Sequence, residues 1–202
     1  MPEQDFFYTI EKEAVAEFKD RGSKFIAYAC PIQSVEEFKA KLNDIRKEHP
    51  KATHHCFAYR IGIDGNVFRS SDDGEPSGTA GRPILGQLDS KQLTNTLIIV
   101  VRYFGGTLLG APGLINAYRS AASLAIQMTP IVQKPVETKY IIQFDYTQMN
   151  DVMMVVKQIG CSVIEQELNL FCRMSVGISR GRLEEALYRL NEIPNLEWKK
   201  AV

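Results

Sequence analysis

The sequence predicts an α+β protein of two domains, each expected to be an α/β two-layer sandwich. The first observation is a continuous apolar strand at 96–104, which a glycine-rich loop connects to a helix at 113–128. The second is the order β-α-β-β-α-β across 138–202, which is the ferredoxin-like pattern. The third is a proline-bearing stretch between these two parts. We therefore expect an N-terminal domain at 1–130, a linker at 131–137 and a C-terminal domain at 138–202.

Two β-hairpins are expected before the polar loop of the N-terminal domain. Residues 20–23 read DRGS, which are turn residues, and Asp64-Gly65 is a strong hairpin signal. The strands that flank these turns are expected at 14–19, 24–32, 55–63 and 66–71.

Two further helices are expected in this domain. Ser34 and Glu37 fit a capping box, and the apolar residues after Ser34 recur at helical spacing. The segment DDGEPSGTAGRP at 72–83 is too rich in glycine and proline for a strand or a regular helix. The second helix is therefore expected to begin near Thr79.

The C-terminal domain has clear element boundaries. Gly160 stands where a helix is expected to end, and Asn169 separates two strands. The strands are expected at 138–146, 161–168, 170–178 and 196–201, and the helices at 148–159 and 181–192.

The charge composition limits the partners that this protein can bind. The chain has 24 Lys and Arg residues and 24 Asp and Glu residues, so its formal net charge is zero. Proteins that bind nucleic acid mainly through its phosphates are normally basic overall. The composition argues against a strongly electrostatic nucleic-acid binder and leaves a local basic patch open.

The remaining composition favours a soluble, cytoplasmic protein. The four cysteines form no CxxC pair, and their apolar surroundings favour buried, reduced thiols over a disulfide or a zinc site. The N-terminus lacks the apolar core of a signal peptide, and no apolar run approaches the length of a membrane helix. We expect no membrane contact, no metal and no cofactor, and a monomer or weak dimer.

The stretch RYFGGTLLGAPG at 102–113 carries the strongest functional signal. Adjacent glycines let the backbone adopt positive φ and let a ligand approach closely. The helix after them presents free N–H groups to an anion, Arg102 can grip phosphate or carboxylate, and an aromatic neighbour can stack on a base. The same glycines can instead serve only the packing of the helix on the sheet. The stretch is not a P-loop, because no Gly-Lys-Ser/Thr follows.

Two other groups of polar residues are candidates for the same site. Carboxylates as dense as those at 72–75 can bind Mg²⁺ or act as acid and base, or they can bind the local backbone and pair with arginines. Ordinary turn chemistry favours the second interpretation. His54 and His55 begin a strand, so alternation sends them to opposite faces, and their spacing offers too few ligands for a metal.

Together these motifs predict one anion-binding cleft in the N-terminal domain. The residues expected to bind the anion are Arg82, Arg102, Tyr103, Gly105, Gly106 and Gly110. The expected acidic rim is Asp72, Asp73 and Glu75, and His54 and Arg60 are expected to reach the cleft. No residue is assigned a catalytic role.

Several of these segments resemble the IMPACT/YigZ family. The resemblance is carried by DDGEPSGTAGRPIL at 72–85 and LIIVVRYFGGTLLGAPGLINAYRSAA at 97–122. The segments DRGSKFIAYACPI at 20–32 and HHCFAYRIG at 54–62 also resemble that family. Residues 138–202 resemble its C-terminal domain.

The resemblance implies specific folds and a role in translation. The N-terminal domain is expected to be like the second domain of a small-subunit ribosomal protein, a fold shared with GHMP kinases. The ferredoxin-like C-terminal domain is expected to be like the last domain of elongation factor G. For the eukaryotic relatives the resemblance implies translational control with an additional RWD domain, for which we expect no room in this chain.

Three functions are compatible with these observations. In the leading hypothesis, the protein is a binding module that recognises RNA, the ribosome or a translation factor. In the second, it is a small-molecule enzyme or sensor that binds a phosphorylated or carboxylated ligand between the acidic loop and the corner formed by Arg102, Gly105 and Gly106. In the third, the ferredoxin-like domain docks a protein partner on its open sheet face.

Overall fold

The computed structural model describes residues 5–201, whose contacts divide them into two units. One unit is Phe7–Lys134, and the other comprises residues 5–6 and 135–201. Each unit has its own sheet and its own hydrophobic core, built from both helices and strands. The predicted α+β class is therefore confirmed.

The elements up to residue 135 follow the expected order, with two additional short strands. The strands are β1 (Phe6–Ile10), β2 (Ala14–Asp20), β3 (Ser23–Pro31), β4 (His54–Ile61), β5 (Val67–Ser71), β6 (Thr96–Tyr103) and β7 (Ile131–Pro135). The helices are α1 (Val35–Glu48), α2 (Gly81–Ser90) and α3 (Gly110–Gln127).

Strands β2 to β6 form one antiparallel sheet in the order β2-β3-β6-β4-β5. Strand β6 is central, as its unbroken apolar run predicts, and its residues 96–102 are all buried. Helices α2 and α3 cover one face of the sheet and α1 covers the other. This unit therefore has one layer more than the expected two.

Alternation along the strands gives this sheet a separate core on each face. On one face the small residues Ala117, Ala121 and Ala122 are fully buried, which lets α3 lie close to the strands. On the other face Phe38 and Leu42 of α1 pack against the alternate side chains. Although α3 is 18 residues long, none of the helices within residues 5–201 is long and apolar enough to cross a membrane.

The start of α1 shows the predicted cap. Ser34 Oγ accepts a hydrogen bond of 3.1 Å from the Glu37 N–H. Glu37 Oε2 in turn accepts one of 2.8 Å from the Gln33 N–H. The first bond satisfies a backbone donor of the first turn. The second departs from the predicted capping box, in which Glu37 would accept from the Ser34 N–H, because it reaches the residue before the cap.

Strands β1 and β7 pair with each other in a two-stranded sheet. A single parallel bridge also joins Tyr8 of β1 to Leu93. The segment 131–137, which the sequence assigns to a linker, thus contains β7 and the first residue of the strand after it.

The C-terminal unit has the ferredoxin-like fold. Its elements are β8 (Glu137–Asp145), α4 (Met149–Ile159), β9 (Ser162–Glu167), β10 (Phe171–Ser179), α5 (Leu183–Asn191) and β11 (Glu197–Lys200). The sheet is antiparallel, with the strand order β11-β8-β10-β9, which confirms the β-α-β-β-α-β prediction. Gly160 ends α4 with φ +74°, a conformation that glycine adopts without strain.

The four cysteines are free thiols, as expected. Cys30, Cys56 and Cys172 are buried, and Cys161 is partly buried. Burial raises the pKa of Cys30 to about 11 and raises that of Cys56 further. Both thiols are therefore protonated at neutral pH and are poor nucleophiles.

We expect the change Ser34→Ala to lower the free energy of unfolding by about 1 kcal/mol, because the cap of α1 loses its acceptor. Urea unfolding followed by circular dichroism measures this loss. Ser77→Ala, at an exposed loop position, is the control and should change stability by less than about 0.5 kcal/mol. Equal stability of the two variants would contradict the role of the cap.

Candidate functional site

A pocket of about 440 Å³ opens in the N-terminal unit beside the first turn of α3. Four segments line it: the start of β4, the polar loop before α2, the end of β6 with the loop that follows, and the start of α3. We call it the α3 pocket; its lining residues are Thr53, His54, Glu75, Pro76, Arg102, Phe104, Leu108, Leu109, Gly110, Ala111 and Leu114.

A buried ion pair forms the floor of the α3 pocket. Arg102 Nη1 donates a hydrogen bond of 2.6 Å to Glu75 Oε1, and the two side chains are only 7% and 3% exposed. The Tyr118 hydroxyl, from α3, donates to the same oxygen at 2.7 Å. Since an isolated buried charge is very costly, each member of the pair holds the other in place.

The sheet register explains why Arg102 lies here. At the end of β6 it is opposite Phe25 on β3 and opposite His54 on β4. Its guanidinium lies 5.5 Å from the centre of the Phe25 ring and 5.6 Å from that of the Phe104 ring. The flat cation is thus held between two aromatic side chains, one from the sheet and one from the pocket wall.

The hydrogen-bonding capacity of Arg102 is largely unused. A guanidinium carries five N–H groups, and the residues described by the structure provide one hydrogen-bond acceptor for them, Glu75 Oε1. Nε is buried and has no partner among these residues. Buried polar groups normally find partners, so Arg102, which lines the pocket, retains N–H donors that no described residue uses.

His54 contributes an acceptor to the same floor. Its Nδ1 lies 2.8 Å from the Asp73 carbonyl oxygen, and a carbonyl can only accept, so Nδ1 carries the proton. In the neutral ring, Nε2 is then an acceptor. Nε2 lies 3.8 Å from Glu75 Oε1. His55, the second histidine of the predicted pair, is on the opposite face of β4, as alternation predicts.

Asp72 binds the backbone at the start of α2. Its carboxylate accepts hydrogen bonds from the N–H groups of Gly78 at 2.9 Å, Ala80 at 3.0 Å and Gly81 at 2.8 Å. Partial burial raises the pKa of this carboxyl, but the three hydrogen bonds outweigh that effect and lower the pKa below its ordinary value. Asp72 therefore serves as the cap that α2 lacks at Ala80.

Asp73 has a different set of partners. Its Oδ2 accepts from the His55 N–H at 2.7 Å, and its Oδ1 accepts from Arg46 Nη2 at 3.1 Å. The three acidic side chains of the loop thus point to three separate places. Within residues 5–201, no three His, Cys, Asp or Glu side chains are grouped as a metal ion would require.

The glycines of the corner have distinct roles. A Cβ on Gly105 would lie 1.9 Å from the Gly22 carbonyl carbon, so Gly105 permits a close approach of two backbone segments. Gly106 has φ +84° and open space around it. Gly110 has φ +69°, begins α3 and lines the pocket.

The structure brings together His54, Glu75, Arg102 and Gly110 of the predicted cleft residues. The other seven do not line the pocket: Asp72, Asp73, Gly105 and Gly106, whose contacts are given above, and Arg60, Arg82 and Tyr103. Arg82 is exposed on α2. Arg60 pairs with Asp89 at 2.6 Å, near the end of α2. Tyr103 is on the opposite face of β6, where its hydroxyl lies 2.8 Å from His49 Nδ1.

Sequence reasoning missed Tyr118 and most of the apolar wall. Burial strongly raises the pKa of Tyr118, with further contributions from Cys56 and Glu75, so its hydroxyl remains a donor. A signal was present, because Leu114 and Tyr118 are four residues apart on the buried stripe of α3. A hydroxyl in such a stripe requires a partner.

We expect Asp72→Ala to destabilise the N-terminal unit by about 2–3 kcal/mol at pH 7, because three backbone N–H groups lose their acceptor. The lowered pKa means that this stabilisation is present above the ordinary value of 3.8 and is lost as the pH falls through the lower folded value. The difference from wild type should therefore shrink below about pH 4.

Urea unfolding at pH 7 and pH 3 measures that difference. The control is Asp44→Ala, which removes a carboxylate that is 71% exposed and should have a small effect at both pH values. A difference for Asp72→Ala that stays the same at both pH values would be incompatible with a charged cap.

Alanine at Gly105 and at Gly106 should have different effects. We expect Gly105→Ala to cost about 3 kcal/mol, because its Cβ meets the Gly22 backbone. Gly106→Ala should cost about 1–2 kcal/mol, from its positive φ alone. Thermal unfolding of both variants tests the order, and an equal cost would contradict the close approach at Gly105.

Comparison with known proteins places these features in one family. The family model of the Impact N-terminal domain matches residues 21–126, which include every residue that lines the α3 pocket. IMPACT family member YigZ of Escherichia coli (strain K12) is 34% identical over 167 residues, with 82% of each chain covered.

Two further similarities extend over more of the chain. An IMPACT family member of Haemophilus influenzae is 34% identical over 188 residues, which cover 92% of this chain and 91% of that relative. The crystal structure of a hypothetical protein with 30% identity superposes with a TM-score of 0.76 and covers 98% of both chains. The predicted resemblance is confirmed, and this chain belongs to the IMPACT family.

Proposed function

We propose that this chain is a binding module that acts in translation, and that it holds an anionic group of its partner in the α3 pocket. Membership of the IMPACT family supports the translational role, because the resemblance implies such a role for the eukaryotic relatives. The partner is RNA, the ribosome or a translation factor. The observation that carries the proposal is Arg102, a buried cation with unused N–H donors at the floor of an open pocket.

The first turn of α3 adds to the attraction for an anion. Gly110 and Ala111 begin the helix and line the pocket, and no side chain among residues 5–201 caps its N-terminus. Helix N-termini favour negative charge through their free N–H groups and the helix dipole. Because the Glu75 carboxylate lies on the same floor, the site favours an anion with one negative charge over one with two.

The rim of the pocket favours apolar contact. Leu108 is 83% exposed and Phe104 is 51% exposed, although both are large apolar side chains. Exposed apolar groups that surround a polar floor are typical of binding sites. With a net charge of zero, affinity for the partner comes from shape and apolar contact more than from many phosphate contacts.

A small-molecule enzyme or sensor is the second candidate function. It is favoured by one observation, the 3.8 Å separation of His54 Nε2 and Glu75 Oε1 at the pocket floor. An imidazole beside a carboxylate can exchange a proton with a bound molecule. A phosphorylated or carboxylated ligand would then be the substrate or signal.

Leu108→Asp tests the proposed function. The variant places a negative charge on the pocket rim, so its binding to purified ribosomes or to labelled RNA should weaken at least about tenfold. Co-sedimentation and RNA titration at low and moderate salt measure the two interactions. The matched control is Leu170→Asp, because Leu170 is 84% exposed in the C-terminal unit and should tolerate the change.

The two variants also separate the competing hypotheses. Loss of binding only in Leu170→Asp would overturn the proposal and favour a partner that docks on the ferredoxin-like unit. Absence of binding by wild type to both ribosomes and RNA would remove those two partners and leave a translation factor.

A further inference from the structure

We infer that the α3 pocket binds the carboxylate end of an α-amino acid with an apolar side chain. The amino acid is either free or the last residue of a polypeptide, and the recognised chemistry is the same. The inference rests on the proposed use of this pocket as a recognition site, and it names the group that is recognised.

The pocket floor presents both signs of charge. Arg102 is the cation and Glu75 the anion, and both are almost fully buried. A ligand with only an anionic group would bring that group close to Glu75, and a ligand with only a cationic group would bring it close to Arg102. A carboxylate next to an N–H donor matches both charges at once, and α-amino acids have this arrangement.

Two sets of donors are available to the ligand carboxylate. Arg102 uses one of its five N–H groups for Glu75. The first turn of α3 adds backbone N–H groups at Gly110 and Ala111, which line the same pocket. A planar carboxylate has two oxygens and can accept from both sets.

Two acceptors are available to the ligand N–H. Glu75 Oε1 accepts from Arg102 and Tyr118, whereas no group of residues 5–201 donates to Glu75 Oε2. In the neutral ring, His54 Nε2 is the other acceptor, because Nδ1 donates to the Asp73 carbonyl. Either the ammonium group of a free amino acid or the amide N–H of a C-terminal residue satisfies this requirement.

The walls select the side chain of the ligand. They are formed by Pro76, Phe104, Leu108, Leu109 and Leu114, all of which are apolar. A polar side chain would lose its hydration there without gaining a hydrogen bond. The volume of about 440 Å³ is near the lower end of the range for ligand pockets, which suits one amino-acid residue.

Isothermal titration of the full chain tests the inference with two probes and their matched analogues. The probes are L-leucine and the peptide Gly-Gly-Leu with a free C-terminus. The analogues are L-leucinamide and the amidated peptide, which lack the carboxylate, and L-serine, which lacks the apolar side chain. We expect at least one probe to bind, and its amide to bind at least about tenfold more weakly, because a charge-assisted contact is lost. L-Serine should also bind at least about tenfold more weakly.

Variants then locate the binding in the α3 pocket. Leu108→Asp should weaken binding at least about tenfold, because it adds an exposed negative charge beside the ligand carboxylate. The equally exposed control, Leu170→Asp, should bind as wild type does. Glu75→Gln, once circular dichroism has shown that it folds, should weaken the binding of L-leucine more than that of 4-methylpentanoate. The second compound lacks the amine that Glu75 is inferred to contact.

The outcomes distinguish a free amino acid from the C-terminus of a polypeptide, and they separate failure of the inference from failure of the proposed function. Stronger binding of L-leucine supports a free amino acid, and stronger binding of Gly-Gly-Leu supports the C-terminus of a polypeptide. Equal binding of the amides, or no binding of either probe, overturns the inference. If neither probe binds but Leu108→Asp still weakens binding to ribosomes or RNA, the proposed function is supported and the inference is overturned. If a probe binds but ribosomes, RNA and translation factors do not, the inference is supported and the proposed role in translation is overturned.

Discussion

The N-terminal unit depends on the buried ion pair between Arg102 and Glu75. It joins the end of the central strand β6 to a loop that has no regular structure of its own, and through Tyr118 it also joins α3. Removing one member of a buried pair typically costs about 3–5 kcal/mol, because the other charge is left without compensation. The same contact therefore stabilises the unit and presents donors and acceptors to the α3 pocket.

The acidic loop shows how three neighbouring carboxylates can serve three purposes. Asp72 holds the backbone at the start of α2, Asp73 connects the loop to β4 and α1, and Glu75 enters the pocket. Gly74, with φ +90°, reverses the chain between them. The sequence-based interpretation that these acids bind local backbone and pair with arginines describes all three, because Asp72 and Asp73 accept from backbone N–H groups and Glu75 pairs with Arg102 at the candidate site.

Most of the sheet could be predicted because it follows simple patterns. The unbroken apolar run of β6 indicated a central strand, and alternation placed His54 and His55 on opposite faces. The sequence indicated that an acid of this loop can pair with an arginine, but it could not single out Glu75 as the partner of Arg102, because the two residues are 27 apart across a loop without periodicity. Strands β1 and β7 were missed because both are short, and their pairing joins segments far apart in the chain: they pair with each other, and Tyr8 of β1 also forms a bridge to Leu93.

The contact between Gly22 and Gly105 has a consequence for how this protein can evolve. A side chain on either residue would meet the backbone of the other. The β2–β3 turn and the loop after β6 therefore both require glycine at this contact. Gly106, by contrast, has open space beside it, and Leu108 is largely exposed. The exposed rim positions 107 and 108 can therefore vary while Gly105 stays unchanged, so the specificity of the pocket can change without a change in the scaffold.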